Sequence, residues 1–218
     1  MNADLLEQLA ARLDAADRHG GTPESSLPGF VAQQQFAPDL SYGRQAGPPA
    51  ATARSAAVMM LLYPHHGRWH LPLTVRPSHM ADHAGQISFP GGLTEANETS
   101  DVGAVRELKE ELGVSDEVRV LGRLTEMYVF VSDFWVTPWV GMIDRRPEWR
   151  PNPQEVASLL EVPLDHLMDR SHGHRFVAER LGVRYTAPYF AWQAHKIWGA
   201  TSMMLNELVE LLRQLDES

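Results

Sequence analysis

Glu107, Glu110 and Glu111 lie close together in the run Arg106-Glu107-Leu108-Lys109-Glu110-Glu111-Leu112. Ala104, Val105, Leu108 and Leu112 recur at spacings of three and four, which predicts a helix with one apolar face. The three carboxylates then project from the other side. Like charges so spaced repel by roughly 0.2–0.5 kcal/mol per pair, and the C-terminal half of a helix disfavours each anion by a further ~0.3–1 kcal/mol. A bound divalent cation reverses that sign. Carboxylate oxygens are hard donors that suit magnesium or manganese, ions whose sites also hold substrate phosphates. Taken alone, a Glu-rich helix face is ordinary and reads as a solvated acidic surface.

The elements that must position these side chains are equally visible. Ser100 is the expected N-cap, Asp101 falls in the first turn, and Gly113 marks the left-handed end, so the helix should run from about Ser100 to Leu112. Just upstream, Phe89-Pro90-Gly91-Gly92 reads as a turn whose glycines open backbone conformations denied to other residues and bring a carbonyl near a ligand.

The whole stretch from Gly92 to Val114 fits G-x5-E-x7-R-E-U-x-E-E-x-G-U, with U apolar, through Gly92, Glu98, Arg106, Glu107, Leu108, Glu110, Glu111, Gly113 and Val114. Average residue usage puts a chance match on the order of 10^-7. This pattern resembles the signature of the Nudix hydrolases. The resemblance implies an α/β/α sandwich with a mixed β-sheet and hydrolysis of a nucleoside diphosphate linked to another group. By position, Glu107, Glu110 and Glu111 resemble the metal-binding glutamates and Gly91 the residue whose carbonyl joins them. Glu98 and Arg106 look like the supporting ion pair.

Leu73 to Gly92 is similar to the motif that precedes the box in the coenzyme A pyrophosphatase branch, LLTxRSxxLRxHxGQxxFPGG. Leu73, Thr74, Arg76, His83, Gly85, Gln86, Phe89, Pro90, Gly91 and Gly92 stand in register, whereas Pro77, Met80 and Ala81 depart. Ala81 replaces an arginine, and the loss of a fixed cation weakens recognition of an extra phosphate by roughly 1.5–3 kcal/mol. Arg76 reads as a phosphate contact or a surface ion pair, and His83 as a loop-bracing or substrate-contacting histidine. Gln86 orients its loop or reads a substrate edge. Downstream, Glu155 matches the loop glutamate that in several Nudix enzymes completes the metal site or acts as base; its other reading is a solvated loop acid. The closing run HKIWGATSMMLNELVELL resembles the last helix of the same branch. The resemblance therefore implies magnesium- or manganese-dependent cleavage of coenzyme A or its thioesters to adenosine 3′,5′-bisphosphate and a 4′-phosphopantetheine. Glu110, Glu111 or Glu155 would serve as general base. ADP-ribose or a dinucleotide such as NADH is the second substrate class, favoured by Ala81, and a nucleotide-binding module without catalysis is the third reading. The retained box carboxylates speak against that last one.

Composition sets outer limits. The 218 residues suffice for one core plus an appendage, and a formal charge of −9 argues against nucleic acid polymers as partners. The absence of cysteine excludes disulfides and thiolate zinc sites. The histidines form no HExxH; His66 with His70 and His79 with His83 fall in stretches read as non-helical. No apolar run reaches membrane length and the first residues lack a signal-peptide pattern, so a soluble cytoplasmic protein is expected.

Three regions follow from patterning: an amphipathic helix within 1–19, a Pro/Gly/Gln-rich connection over 20–51, and a catalytic domain over 52–218. Leu5, Leu6, Leu9 and Leu13 make the helix stripe, which packs on the domain or on a second subunit as a homodimer contact. In the connection, Phe30, Val31, Phe36 and Tyr42 are candidate anchors, and Arg44 reads as a solvated arginine more readily than as a substrate contact. Ala56–Pro64 has the length and continuous apolarity of a central strand, returning after His65-His66-Gly67 as Trp69–Val75. Two further strands are expected at Val118–Phe130 and Phe134–Asp144, the second at an edge or carrying a bulge because of Pro138. Strands with Tyr185, Tyr189, Phe190 and Trp192 precede the last helix, whose stripe is Met204, Leu205, Leu208, Leu211 and Leu212.

Overall fold

A computed structural model of the chain describes residues 3–17, 28–41, 43–78, 85–180 and 182–217. Helix α1, Ala3–Asp17, follows the leucine stripe. Leu5, Leu6, Leu9 and Leu13 are all buried in the core of the chain's own sheet, each worth roughly 1.5–3 kcal/mol by removal from water. The exposed Arg119–Glu7 pair at its edge adds little beside that.

Helix α2, Pro28–Gln35, lies inside the stretch expected to be a surface connection. Eight residues with no amphipathic stripe are too few to announce a helix, because isolated helices of this length are unstable in water. Tertiary bonds hold it instead. Asn206 Nδ2 donates to the Ala32 carbonyl and Gln33 Nε2 to Glu207 Oε2, both at 2.7 Å. Of the expected anchors, Phe30 is buried and Phe36 stacks on Phe190 at 4.2 Å. Val31 is exposed, and Tyr42 lies outside the described residues. Two short 3-10 turns, Asp39–Ser41 and Arg44–Ala46, complete the segment.

Strand β1, Arg54–His65, turns through His66 and Gly67, both at positive φ, into β2, Arg68–Val75; a two-residue hairpin with both central residues left-handed suits the strand twist. After β3, Ile87–Ser88, and β4, Gly91–Leu93, helix α3 spans Ser100–Leu112. Next come β5, Arg119–Arg123, β6, Met127–Val129, and β7, Phe134–Met142. Beyond the proline-rich loop lie β8, Ser158–Pro163, and α4, Leu164–Met168. A separate antiparallel sheet is formed by β9, Gly173–Arg180, β10, Val183–Trp192, and β11, His195–Trp198, and α5, Ala200–Asp216, closes the fold.

The main sheet runs β3-β2-β1-β7-β5, with β6 on β7 and β8 on β2. Strand β1 is parallel to β7 from Arg54↔Phe134 to Leu62↔Met142 and divides its other edge between two partners. There β4 pairs with Ala56–Val58, and β2 with Tyr63–His65. Alternation sends Ala57, Met59, Leu61 and Tyr63 into one cluster with Leu108 and Leu112 of α3. It sends Ala56, Met60 and Leu62 into another with α1 and α5. The result is the expected α/β/α sandwich around a mixed sheet.

Three local expectations change. Val118–Phe130 is two strands, interrupted at 124–126. Strand β7 is interior, and Pro138 is tolerated because it faces that interruption: its carbonyl accepts from Leu124 N–H at 2.8 Å and its missing donor faces no continuous neighbour. Ser100 is the first residue of α3, with Thr99 before it, and its hydroxyl accepts from Trp139 Nε1.

Candidate active site

The box glycines are required for close approach. A Cβ on Gly91 would meet the Ala57 carbonyl at 2.4 Å, and one on Gly92 would meet the Glu107 carboxylate at 2.6 Å. Neither has the positive φ expected of a turn; both are extended in β4. Met59 N–H bonds the Pro90 carbonyl and Thr94 N–H the Ser55 carbonyl. Gly91, opposite Val58, therefore falls in a non-hydrogen-bonded pair, with its N–H and C=O both aimed away from β1. On that side its N–H donates to Glu111 Oε1 at 3.2 Å.

Arg106 organises the rest of the box. Its Nε and Nη2 grip Glu98 in a fork at 3.1 and 2.7 Å, Nη1 donates to Glu107 at 2.8 Å and Glu110 at 3.1 Å, and Nη2 reaches the Leu93 carbonyl. Glu98 also accepts from Glu95 N–H, so the strap between β4 and α3 is closed on one carboxylate. The Arg106 bonds, reinforced by that backbone donor, hold Glu98 below the usual carboxylate range.

Glu111 is different. It is buried, and burial pushes its carboxyl up to about 7, with Glu107 and Glu155 adding to the rise and Gly91 N–H and Arg76 opposing it. Glu107 is also raised, first by burial and then by Glu110 and Glu155 against the pull of Arg106. Glu155 thus acts on both box carboxylates from across the sequence. Asn152 N–H donates to the Glu111 carbonyl at 2.8 Å and Arg150 N–H to the Leu112 carbonyl at 2.9 Å, so the loop caps the C-terminal end of α3. Nothing in the residue pattern announces that cap, because it is made by backbone amides.

The donors gathered here, four carboxylates and the Gly91 carbonyl edge, are hard oxygens of the kind magnesium and manganese take. Among the described residues no three acidic or histidine side chains already stand in metal-holding geometry. Glu107 and Glu110 are turned onto Arg106. The donor chemistry fits such an ion.

Gly91 also lies on the wall of a cavity of about 600 Å³. Arg76 and Gln86 line it beside the box, and Arg76 N–H donates to the Gln86 carbonyl at 2.9 Å. Arg76 Nε is buried and has no partner among the described residues. The far walls come from Arg44 and Gln45, from Tyr128 and Phe130, and from Tyr185 and Trp198. Pro38, Leu40, Ser41, Arg44 and Gln45, in the segment read as a surface connection, therefore form part of the cavity wall. His79, Ala81 and His83 lie outside the described residues.

A family model described as the NUDIX domain matches residues 53–180. The chain is 36% identical over 163 residues to a Pectobacterium atrosepticum protein named as an uncharacterized Nudix hydrolase NudL, covering 73% of this chain and 83% of that one. It is 34% identical over 142 residues to a protein of the same name from Photorhabdus laumondii, covering 64% and 75%.

Proposed function

This chain belongs to the Nudix family and is a Nudix hydrolase, and we propose that its substrate is coenzyme A or a coenzyme A thioester. Cleavage of the diphosphate would release adenosine 3′,5′-bisphosphate and a 4′-phosphopantetheine. The observation that carries this reading is the continuity of the Glu111–Gly91 edge with a largely apolar cavity of about 600 Å³ whose near end holds Arg76 and Gln86. A diphosphate at the box leaves that volume for an attached group. The Leu73–Gly92 run, with its GQ and FPGG elements, supports the same substrate.

Nudix hydrolases generally use divalent metals, and here Glu107, Glu110 and Glu111, with the Gly91 carbonyl, would hold magnesium or manganese. When bound, the ions neutralise the diphosphate and activate water. Arg106 keeps Glu107 and Glu110 on the site side of α3. Arg76, fixed to the Gln86 backbone, places a cation beside the phosphates. Glu155, Glu110 and Glu111 are the candidates to take the proton from water, and Glu155 has the loop position that leaves it outside the Arg106 network. Among the described residues no helix is long and apolar enough to cross a membrane, and we place the enzyme in the cytoplasm.

ADP-ribose or NADH is the second reading, because Ala81 lacks the arginine of the coenzyme A motif. Magnesium-dependent turnover of coenzyme A, ADP-ribose and NADH, compared as kcat/KM with products identified, decides between them. The highest value for coenzyme A is expected; a higher value for either of the others would transfer the assignment.

A further inference from the structure

Gln45 is only 2% exposed, yet neither its side-chain oxygen nor its side-chain nitrogen has a hydrogen-bond partner among the described residues. Gln33, buried in the same N-terminal segment, donates its amide nitrogen to the Thr125 carbonyl and to Glu207. Folding strips the water from the Gln45 amide and returns no bond for it, a cost that a ligand with the right polar groups removes. Gln45 lies on the wall of the cavity that also holds Gly91. Its missing partner is therefore to be sought in what that cavity binds.

The turn that carries Gln45 is fixed from both sides. Gly43 and Gly47 bracket Arg44–Ala46 at positive φ, and a Cβ on Gly47 would stand 3.2 Å from the Trp135 ring. Arg44 lies over the Phe130 ring at 4.1 Å, and the turn packs on β6. Strand β6 pairs with Phe134–Val136 of β7, which stand opposite Arg54–Ala56 of β1, whereas Gly91 stands opposite Val58. Gln45 is thus held beside the part of the sheet that lies two to four residues from the level of Gly91, or roughly 7–13 Å at the rise of an extended strand. A ribose fits between a diphosphate at the box and a group at that distance.

A carboxamide presents one donor beside one acceptor in a plane. That is the complement of an adenine edge, where the N6 amino group lies beside N1 or N7. Tyr128, Phe130, Tyr185 and Trp198 on the same cavity wall supply aromatic surface of the kind that takes the face of a base. We infer that Gln45 is a specificity-determining residue that reads the adenine of the substrate. Its carboxamide turns to the cavity, the nitrogen donating to N1 or N7 and the oxygen accepting from the N6 amino group. This rests on the hydrolase reading of the cavity and on no single substrate, since coenzyme A, ADP-ribose and NADH all carry adenine.

Calorimetric binding of AMP and of purine riboside 5′-monophosphate, which lacks the N6 amino group, tests the assignment without turnover when both are measured with magnesium. The wild-type protein should bind AMP at least about tenfold more tightly, because the analogue leaves the Gln45 oxygen unpaired. Gln45→Met, close in shape and without the amide, should bring the two affinities together. It should also leave the ligand-free thermal midpoint unchanged or raised, since it removes buried polar atoms that the fold does not pair. Equal affinity of the wild type for the two nucleotides, failure to bind either, or an undiminished preference in Gln45→Met would overturn the assignment. So would a fall in 4′-phosphopantetheine affinity in that variant with the AMP preference intact, which would give the amide to the pantetheine arm. The expected preference with none of coenzyme A, ADP-ribose and NADH cleaved would sink the hydrolysis reading and leave the adenine contact standing. Cleavage of coenzyme A by a protein that does not distinguish the two nucleotides would do the reverse.

Discussion

The backbone amide of Asn152 donates to the carbonyl of Glu111 at 2.8 Å, so the last turn of α3 ends on the proline-rich loop. That bond holds Glu155, three residues further on, within electrostatic reach of Glu107 and Glu111. If Glu155 takes the proton from the attacking water, Glu155→Gln should lower kcat by about 10²- to 10⁴-fold while thermal unfolding stays close to wild type. Near-normal turnover in a folded variant would return Glu155 to the status of a loop acid.

Glu111 ties activity to stability. Its carboxyl ionises near 7 in the folded chain against an ordinary 4.5, so the native state holds the extra proton between those values. The resulting stabilisation is complete below about pH 4.5 and is lost as the pH rises through 7. That difference corresponds to roughly 3 kcal/mol, and the raised carboxyl of Glu207 acts in the same direction. Glu111→Gln should therefore abolish turnover yet raise the urea midpoint of metal-free protein at pH 7.5 and flatten its decline from pH 5 upward. Loss of stability in that variant at neutral pH would contradict the burial argument.

Arg106 should be intolerant of lysine. A single ammonium cannot reproduce the fork on Glu98 together with bonds to Glu107, Glu110 and the Leu93 carbonyl. In Arg106→Lys, slack in the box carboxylates should cost about 10²-fold in kcat/KM. Wild-type kinetics with a lowered unfolding midpoint would mark Arg106 as scaffold alone.

Glu207 is the corresponding test for the N-terminal segment. It is buried in α5 and accepts from Thr125 N–H, the Thr125 hydroxyl and Gln33 Nε2 at 2.9, 2.7 and 2.7 Å. Glu207→Leu strands those donors and should cost roughly 2–5 kcal/mol in denaturant unfolding. Glu207→Gln, which keeps an acceptor for Thr125, should cost less than half as much. Equal losses would show that shape, and not hydrogen bonding, fixes α2 to α5.

The α/β/α architecture was legible in the chain because its signals are local. The apolar run Ala56–Pro64 has the length of a strand buried on both faces, the stripe of Leu5, Leu6, Leu9 and Leu13 has the spacing of an amphipathic helix, and Gly113 ended α3 where a left-handed residue was needed. The box spacing likewise put Glu107, Glu110 and Glu111 on one short helix next to Gly91. What no local rule supplies is the distance between parts that are remote in sequence. Helix α2 exists because Glu207 and Asn206 bond to it, Pro138 sits in an interior strand because its neighbour breaks at 124–126, and Glu155 joins the box through two backbone amides. Arg44 and Arg180 face one cavity only after the N-terminal turns and the β9–β10 hairpin have folded around it. Side-chain type and spacing set which groups can do chemistry; long-range hydrogen bonds and packing decide which of them meet.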